Sequence, residues 1–194
     1  AKSQLITKDI AFNVDSLITE LKLPFFVKPT ESGSSFGISK VNKKDDLLPA
    51  IEVAFKEGDT IIAESFLDGI ELTCAVFRSP EGLIALPITQ VSTDNDFFDY
   101  DAKYNGKSKE ETPAKVSAAL TIDIQNTSKE IYNALQLKSV ARIDYIVIGT
   151  QPFVIEVNTI PGFSKASIVP QMLSCQGIPL DEFWSMVIDV ELNS

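Results

Sequence analysis

The stretch Arg142-Ile-Asp-Tyr-Ile-Val-Ile-Gly-Thr-Gln-Pro-Phe-Val-Ile-Glu-Val-Asn-Thr-Ile-Pro-Gly162 constrains the chain most. Two Ile/Val-rich runs, Arg142 to Ile148 and Phe153 to Asn158, flank Gly149-Thr-Gln-Pro152, which predicts an antiparallel hairpin. Side chains on a strand alternate faces. Arg142 and Asp144 therefore share one face of the first strand and Glu156 and Asn158 one face of the second, while Ile143, Tyr145, Ile155 and Val157 take the other. Most hairpin registers bring the two polar faces together. Two carboxylates side by side are costly, so a cation belongs between them. Asp, Glu and Asn offer hard oxygen ligands, and so few of them suit Mg²⁺, which keeps waters or phosphate oxygens at its other positions. The plainer alternative is a hairpin with a solvated polar face.

Composition narrows the chemistry further. The 194 residues, 44% of them hydrophobic, can bury a real core as one domain or two small lobes. A formal charge of -10 argues against a nucleic-acid or anionic-membrane partner and for a small molecule. No apolar run approaches the roughly 18 residues of a membrane span, and no secretion signal appears, so a soluble cytoplasmic protein is expected. The lack of histidine removes Ser-His and Cys-His nucleophiles and the common zinc sites. Cys74 and Cys175 carry no motif and read as two buried thiols in a reducing compartment.

Upstream, Asn13 to Lys22 reads as a helix capped by Asn13 or Asp15 and stopped before Pro24. Pro24-Phe-Phe-Val-Lys-Pro29 reads as a buried strand in which Lys28 needs an anion. The segment Glu31-Ser-Gly-Ser-Ser-Phe-Gly37 and the strand Ile38 to Val41 follow. Strand, glycine-rich loop, strand suits a lid over phosphates or a plain serine-rich turn. A helix from Leu47 to Phe55, capped by Asp45 or Asp46, precedes Thr60 to Leu67, which turns at Asp68-Gly69 and leaves as Glu71 to Phe77. Glu64 is open between accepting from an adenine amino group and serving as a solvated edge charge. Gln90 to Lys107, with Phe97-Phe-Asp-Tyr-Asp-Ala-Lys-Tyr104 at its centre, has the length of a lid loop. Helices are expected over Thr121 to Leu137, over Pro170 to Gln176 and around Leu180 to Ile188, the last with an aromatic stripe facing the core.

Val-Lys-Pro followed by Gly-Ser-Ser-Phe-Gly, Phe-Phe-Asp-Tyr-Asp-Ala-Lys-Tyr, Arg-Ile-Asp, and Glu-Val-Asn-Thr-Ile-Pro-Gly-Phe occur here in order. Over about residues 23 to 190 the chain thereby resembles the ATP-grasp ligases, and within them the C-terminal part of the D-alanine–D-alanine ligase family. The resemblance implies an α+β ATP-grasp fold of antiparallel sheets with flanking helices, divided as 1–22 (leader and helix), 23–77 (part of the small ATP-binding lobe) and 78–194 (the C-terminal lobe). It implies that Lys28, with Ser35 in the lid, contacts ATP phosphates, that Glu64 and the Leu67 backbone hold adenine, that Glu71 holds ribose and that Lys103 meets the γ-phosphate. Asp144, Glu156 and Asn158 would bind two Mg²⁺ ions, with Mn²⁺ able to substitute. Arg142 and the Gly162 backbone would face a tetrahedral oxyanion, Ser34 and Tyr104 would join lid to loop, and Ser167 with Ile168 would meet the second D-alanine.

The implied reaction makes D-alanyl-D-alanine for peptidoglycan in a homodimeric parent enzyme. Tyr104 and its loop lean toward a D-alanine rather than a D-lactate acceptor. Two departures from the family pattern are the missing His after Pro161-Gly162 and Ile168 in place of Leu. The chain begins at Ala1 and lacks the family's N-terminal domain and an early phosphate-binding Lys, so it is expected to be a fragment that does not ligate alone. Other ATP-grasp carboxylate-amine or D-alanine-D-lactate ligases, and a non-catalytic nucleotide-binding module, remain as alternatives.

Overall fold

The computed structural model describes residues 1–31, 36–93 and 108–193. The expected lid residues Ser34 and Ser35, and Lys103 and Tyr104 in the long loop, lie outside them. The described residues gather into two compact units, one over 1–68 and one over 69–92 with 109–193.

The first unit is a four-stranded antiparallel sheet in the order β1-β4-β2-β3, built from β1 (Ser3–Thr7), β2 (Phe25–Pro29), β3 (Ser39–Val41) and β4 (Thr60–Ser65). Alternation decides its faces: Phe25 and Val27 of β2 and Ile61 and Ala63 of β4 are buried, whereas Phe26, Lys28 and Glu64 are half-buried on the other side. Two helices, α1 (Val14–Leu21) and α2 (Leu47–Ala54), add Leu17, Leu21, Leu47, Ala50, Ile51 and Ala54 to that core. Asn13 caps α1, accepting from the Ser16 N–H at 2.9 Å. Asp46 does not cap α2: its carboxylate accepts from the Asn42 and Lys43 N–H groups of the preceding tight turn instead. The segment read as a leader contains a strand, because Ile6 packs into the core while β1 closes the sheet edge against β4.

The second unit has a six-stranded sheet of β5 (Ile70–Ser79), β6 (Gly82–Ala85), β7 (Thr89–Thr93), β8 (Ser108–Glu111), β9 (Val140–Ile148) and β10 (Gln151–Asn158), in the order β10-β9-β5-β7-β8 with β6 beside β5. One face carries Leu72, Cys74, Val76, Ile143, Tyr145 and Val147 under α3 (Ala118–Ala134), which adds Leu120, Ile124 and Tyr132. The buried Tyr145 hydroxyl is satisfied by Ser128 of α3 at 2.7 Å. The opposite face carries Glu71, Thr73, Ala75 and Phe77 of β5 beside Arg142 and Asp144 of β9. At its Phe77 end lies Phe183 of α5 (Leu180–Leu192), with ring centroids 5.0 Å apart in an edge-on arrangement. A shorter helix, α4 (Ile168–Gln176), precedes α5 and ends at Gly177 with φ +76°.

The architecture is the expected α+β arrangement of antiparallel sheets with flanking helices, but several details differ from expectation. The division falls between residues 68 and 69 rather than at 77, because β5 pairs with β9, β7 and β6 and not with β4. Thr60 to Phe77 is therefore not a hairpin about Asp68-Gly69; its two strands belong to different sheets. Only Cys74 is buried, whereas Cys175, near the end of α4, is exposed, and both are free thiols. The stripe on α5 also divides, since Phe183 and Val187 are buried but Trp184 and Ile188 stay partly exposed. Among the described residues no helix is long and apolar enough to cross a membrane.

Candidate functional site

The site in the second unit depends on one irregularity in the β9–β10 hairpin. Its loop is shorter than expected, just Gly149 and Thr150, with Gly149 at φ +62°, so that Ile148 pairs with Gln151. Continued without interruption, that register would set Ile155 opposite Asp144 and put Glu156 on the face of Ile143. A β-bulge prevents this. Val154 pairs with Tyr145, Ile155 is taken up as the extra residue, and Glu156 then pairs with Asp144 and Asn158 with Arg142. Ile155 thus has no opposite residue, contrary to the regular alternation expected of it, and four polar side chains come to one face.

Asp144 is the centre of this face and is 7% exposed. The Arg142 guanidinium grips its carboxylate in bidentate fashion, with Nε donating to Oδ1 and Nη2 to Oδ2, both at 2.8 Å. Asn158 Nδ2 donates to Oδ2 at 2.9 Å. Thr73, on the neighbouring strand β5 and directly opposite Asp144, brings its hydroxyl to Oδ1 at 2.6 Å. Burial is the largest influence on Arg142 and works against its charge. The hydrogen-bonded Asp144 carboxylate and the negative charges of Asp144, Glu156 and Glu71 outweigh it, so the guanidinium pKa is raised. Glu71 therefore belongs to the same electrostatic neighbourhood, on the same face of β5 as Thr73.

Thr73 was not singled out from the sequence. Its signal lies in the alternation of β5, where Glu71 and Thr73 interleave with the apolar Leu72, Cys74 and Val76. A polar residue buried to 2% exposure on a central strand must have a partner, but the sequence does not say which.

Asp144, Glu156 and Asn158 supply two carboxylates and an amide oxygen, the hard donors that Mg²⁺ takes. Among the described residues no group of three or more His, Cys, Asp or Glu is placed to hold a metal. The donor set nevertheless fits in type, provided that Asp144 gives up protein donors, since its two oxygens already receive four contacts.

Beyond β10, Gly162 leads into a turn in which the Ser167 hydroxyl accepts from the Ser164 N–H at 3.0 Å and pairs with the Ser164 hydroxyl at 2.9 Å. A Cβ on Gly162 would lie 3.1 Å from Ser167 Oγ, so the glycine and the serine are neighbours. Ile168, the first residue of α4, is buried. Phe163 stacks on Phe183 and tilts against Trp184, which anchors this turn to α5.

In the first unit, Lys28 and Glu64 are ion-paired at 2.6 Å on the half-buried face, with about a quarter of each side chain exposed. The anion that Lys28 requires is therefore Glu64. Lys40, opposite Phe26 on β3, sits 4.9 Å from the centre of the Phe66 ring. Leu67 is partly buried beyond the end of β4.

Comparison with known proteins places this geometry in a family. The chain is 43% identical over 192 residues to the D-alanine–D-alanine ligase of Flavobacterium johnsoniae, covering 99% of this chain and 59% of that protein. It superposes on the crystal structure of a D-alanine–D-alanine ligase from Bacillus anthracis complexed with ATP with a TM-score of 0.82 at 29% identity, covering 99% of this chain and 60% of the other. It also resembles the VanG D-Ala:D-Ser ligase of Enterococcus faecalis, with a TM-score of 0.85 at 34% identity, covering 97% of this chain and 55% of that one. The chain thus spans about three fifths of the length of the curated relatives it matches. Its fold is that of the ATP-grasp ligases. Residues 3–189 match the family model described as the D-ala D-ala ligase C-terminus, and the chain belongs to that family.

Proposed function

We propose that the chain is the ATP-handling and metal-handling part of a D-alanine–D-alanine ligase, an ADP-forming carboxylate-amine ligase of peptidoglycan synthesis. The carboxylate of one D-alanine takes the γ-phosphoryl group of ATP, leaving ADP and an acyl phosphate. The amine of a second D-alanine then attacks the acyl carbon, loses a proton and expels phosphate. The whole enzyme would act in the cytoplasm, as a homodimer, on ATP and D-alanine, with no nucleic-acid or membrane partner.

The observation that carries this reading is the clustering of Arg142, Asp144, Glu156 and Asn158 on one sheet face by the Ile155 bulge. Both steps build negative charge on oxygen, and such reactions are catalysed by positioning and charge stabilisation. Mg²⁺ held by Asp144, Glu156 and Asn158 would neutralise phosphate charge. Arg142 stays cationic in its buried setting, as a group facing an anionic intermediate must, and the Gly162 backbone N–H serves beside it. Glu71 would hold the ribose, and Ser167, beside Gly162, the carboxylate of the acceptor, with Ile168 behind it. In the first unit Lys28 would exchange part of its pairing with Glu64 for a phosphate, and Glu64 would accept from the adenine amino group beside Leu67.

The likeness to a D-Ala:D-Ser ligase keeps the acceptor open between D-alanine and D-serine. The test is ADP and phosphate release by the protein at the full length of its relatives, with each D-amino acid or D-lactate as acceptor. D-alanine-dependent release that falls at least about 100-fold in Asp144→Asn is expected, on the scale of removing an electrostatic contact to a transition state. Release that Asp144→Asn leaves unchanged would overturn the reading in favour of a module that keeps the hairpin for stability alone.

A further inference from the structure

We infer that Thr73 is a positioning residue, whose hydroxyl holds Oδ1 of Asp144 in place while Oδ2 exchanges its protein donors for a divalent cation. The inference rests on the metal reading above.

A carboxylate offers about four lone-pair directions, and those of Asp144 are all engaged: Thr73 and Arg142 Nε at Oδ1, Arg142 Nη2 and Asn158 Nδ2 at Oδ2. A cation can reach Asp144 only if some of these contacts open. Three of the four can. The Arg142 guanidinium is at the end of a long side chain and feels two further carboxylates, Glu156 and Glu71, toward which it can turn. The Asn158 amide can rotate to present its oxygen in place of its nitrogen.

Thr73 has no such freedom. It is 2% exposed and lies on a strand paired on both sides, with Asp144 opposite it on β9 and Thr89 opposite it on β7. Its β-branched side chain is stiff at χ1, and its other acceptor, the Ile143 carbonyl, is more distant at 3.2 Å. Once Arg142 and Asn158 withdraw, Thr73 is the contact that remains. It then fixes the rotation of the carboxylate and leaves Oδ2 as the oxygen offered to the cation. Neighbours that orient a metal ligand typically change metal affinity by about 10–100-fold when removed.

The test is Mn²⁺ binding to the 194-residue chain, followed by the electron paramagnetic resonance of the free ion, for the parent, Thr73→Val, Thr73→Ala and Thr73→Ser. Melting temperatures without cation report folding. The hydroxyl-free variants are expected to bind Mn²⁺ about tenfold more weakly, with Thr73→Ser within about twofold of the parent. Parent-like binding by the valine and alanine variants would overturn the role of Thr73 and leave the metal reading standing. If Thr73→Ser loses as much as they do, packing rather than the hydroxyl is responsible, and the inference is again overturned; this arm holds even if valine does not fold. A parent chain that binds no Mn²⁺, or binds it equally well as Asp144→Asn, refutes the metal reading and this inference with it. In parallel, saturating Mg²⁺ should shift the Arg142 Nε–H resonance and speed its exchange with water. A signal that stays protected would show that Arg142 never leaves Asp144.

Discussion

Glu156 stands directly across from Asp144, and it does so because Ile155 is absorbed as an unpaired residue. A one-residue slip in a strand moves every following side chain to the other face. Deleting Ile155 is not such a slip: it removes the extra residue, leaves Val154 opposite Tyr145, Glu156 opposite Asp144 and Asn158 opposite Arg142, and keeps the four polar side chains on one face. The second unit is therefore expected to keep its fold and to lose no more than about 3 kcal/mol of stability, the ordinary range for a single change. Urea unfolding followed by Trp184 fluorescence would measure it. A loss above about 4 kcal/mol would mean that Ile155 is not simply an extra residue in the ladder.

The Arg142–Asp144 pair has side chains only 17% and 10% exposed. Removing one member of such a pair strands the other charge, at a cost of about 3 kcal/mol. Arg142→Met should therefore be destabilising without any ligand, whereas Asp144→Asn together with Arg142→Met should recover most of the loss. A double-mutant cycle in urea checks both. Independent, additive effects would contradict the coupling.

The two cysteines should separate cleanly by reactivity. Under native conditions a thiol reagent should modify one equivalent, Cys175, and a second only in denaturant, because Cys74 is fully buried and its pKa is pushed up to about 12 by desolvation. The same burial makes stability fall in alkali. An unfolded cysteine ionises near its ordinary value of 9.0 while the folded one still holds its proton, so the folded state binds more protons between about pH 9 and 12. Stability from this group is complete below pH 9 and declines above it by up to about 1.4 kcal/mol per pH unit. Tyr145 and Tyr132, also raised chiefly by burial, act in the same direction at higher pH. Cys74→Ala should flatten the decline in alkaline melting curves; an unchanged slope would contradict its origin in this thiol.

Gly69 admits no side chain. A Cβ there would lie 2.3 Å from the Val147 carbonyl oxygen and 2.9 Å from Ile146 Cγ2, so Gly69→Ala must push β9 away from the start of β5. A cost of about 1–3 kcal/mol is expected, as for overpacking. Wild-type stability in Gly69→Ala would show that the approach can relax.

Hydropathy and turn chemistry made the elements legible: α1 begins after Asn13, α4 stops at Gly177, and the Arg142 to Asn158 hairpin was evident from its Ile and Val content. Strand partners were not. Nothing local distinguishes a β4–β5 hairpin from two strands that join different sheets, because the distinction lies in pairings of β5 with residues some seventy positions away, as in Thr73 with Asp144. The site was half legible for the same reason. Asp144 and Glu156 were recognisable from strand alternation, but the bulge that lets them meet, and the Thr73 hydroxyl beneath them, are tertiary facts. Helical spacing likewise showed that α5 is amphipathic without revealing that Trp184 stays half exposed, since that depends on what Phe163 leaves uncovered.

The edge-on contact of Phe77 with Phe183 has a consequence for biosynthesis. The ring that covers this end of β5 arrives more than a hundred residues after it, and the Glu191 carboxylate that accepts the Ser139 N–H at 2.8 Å arrives later still. As the chain emerges from the ribosome, the finished sheet must wait with that face bare. The second unit should therefore gain protease resistance in a late step, when α5 docks, rather than strand by strand.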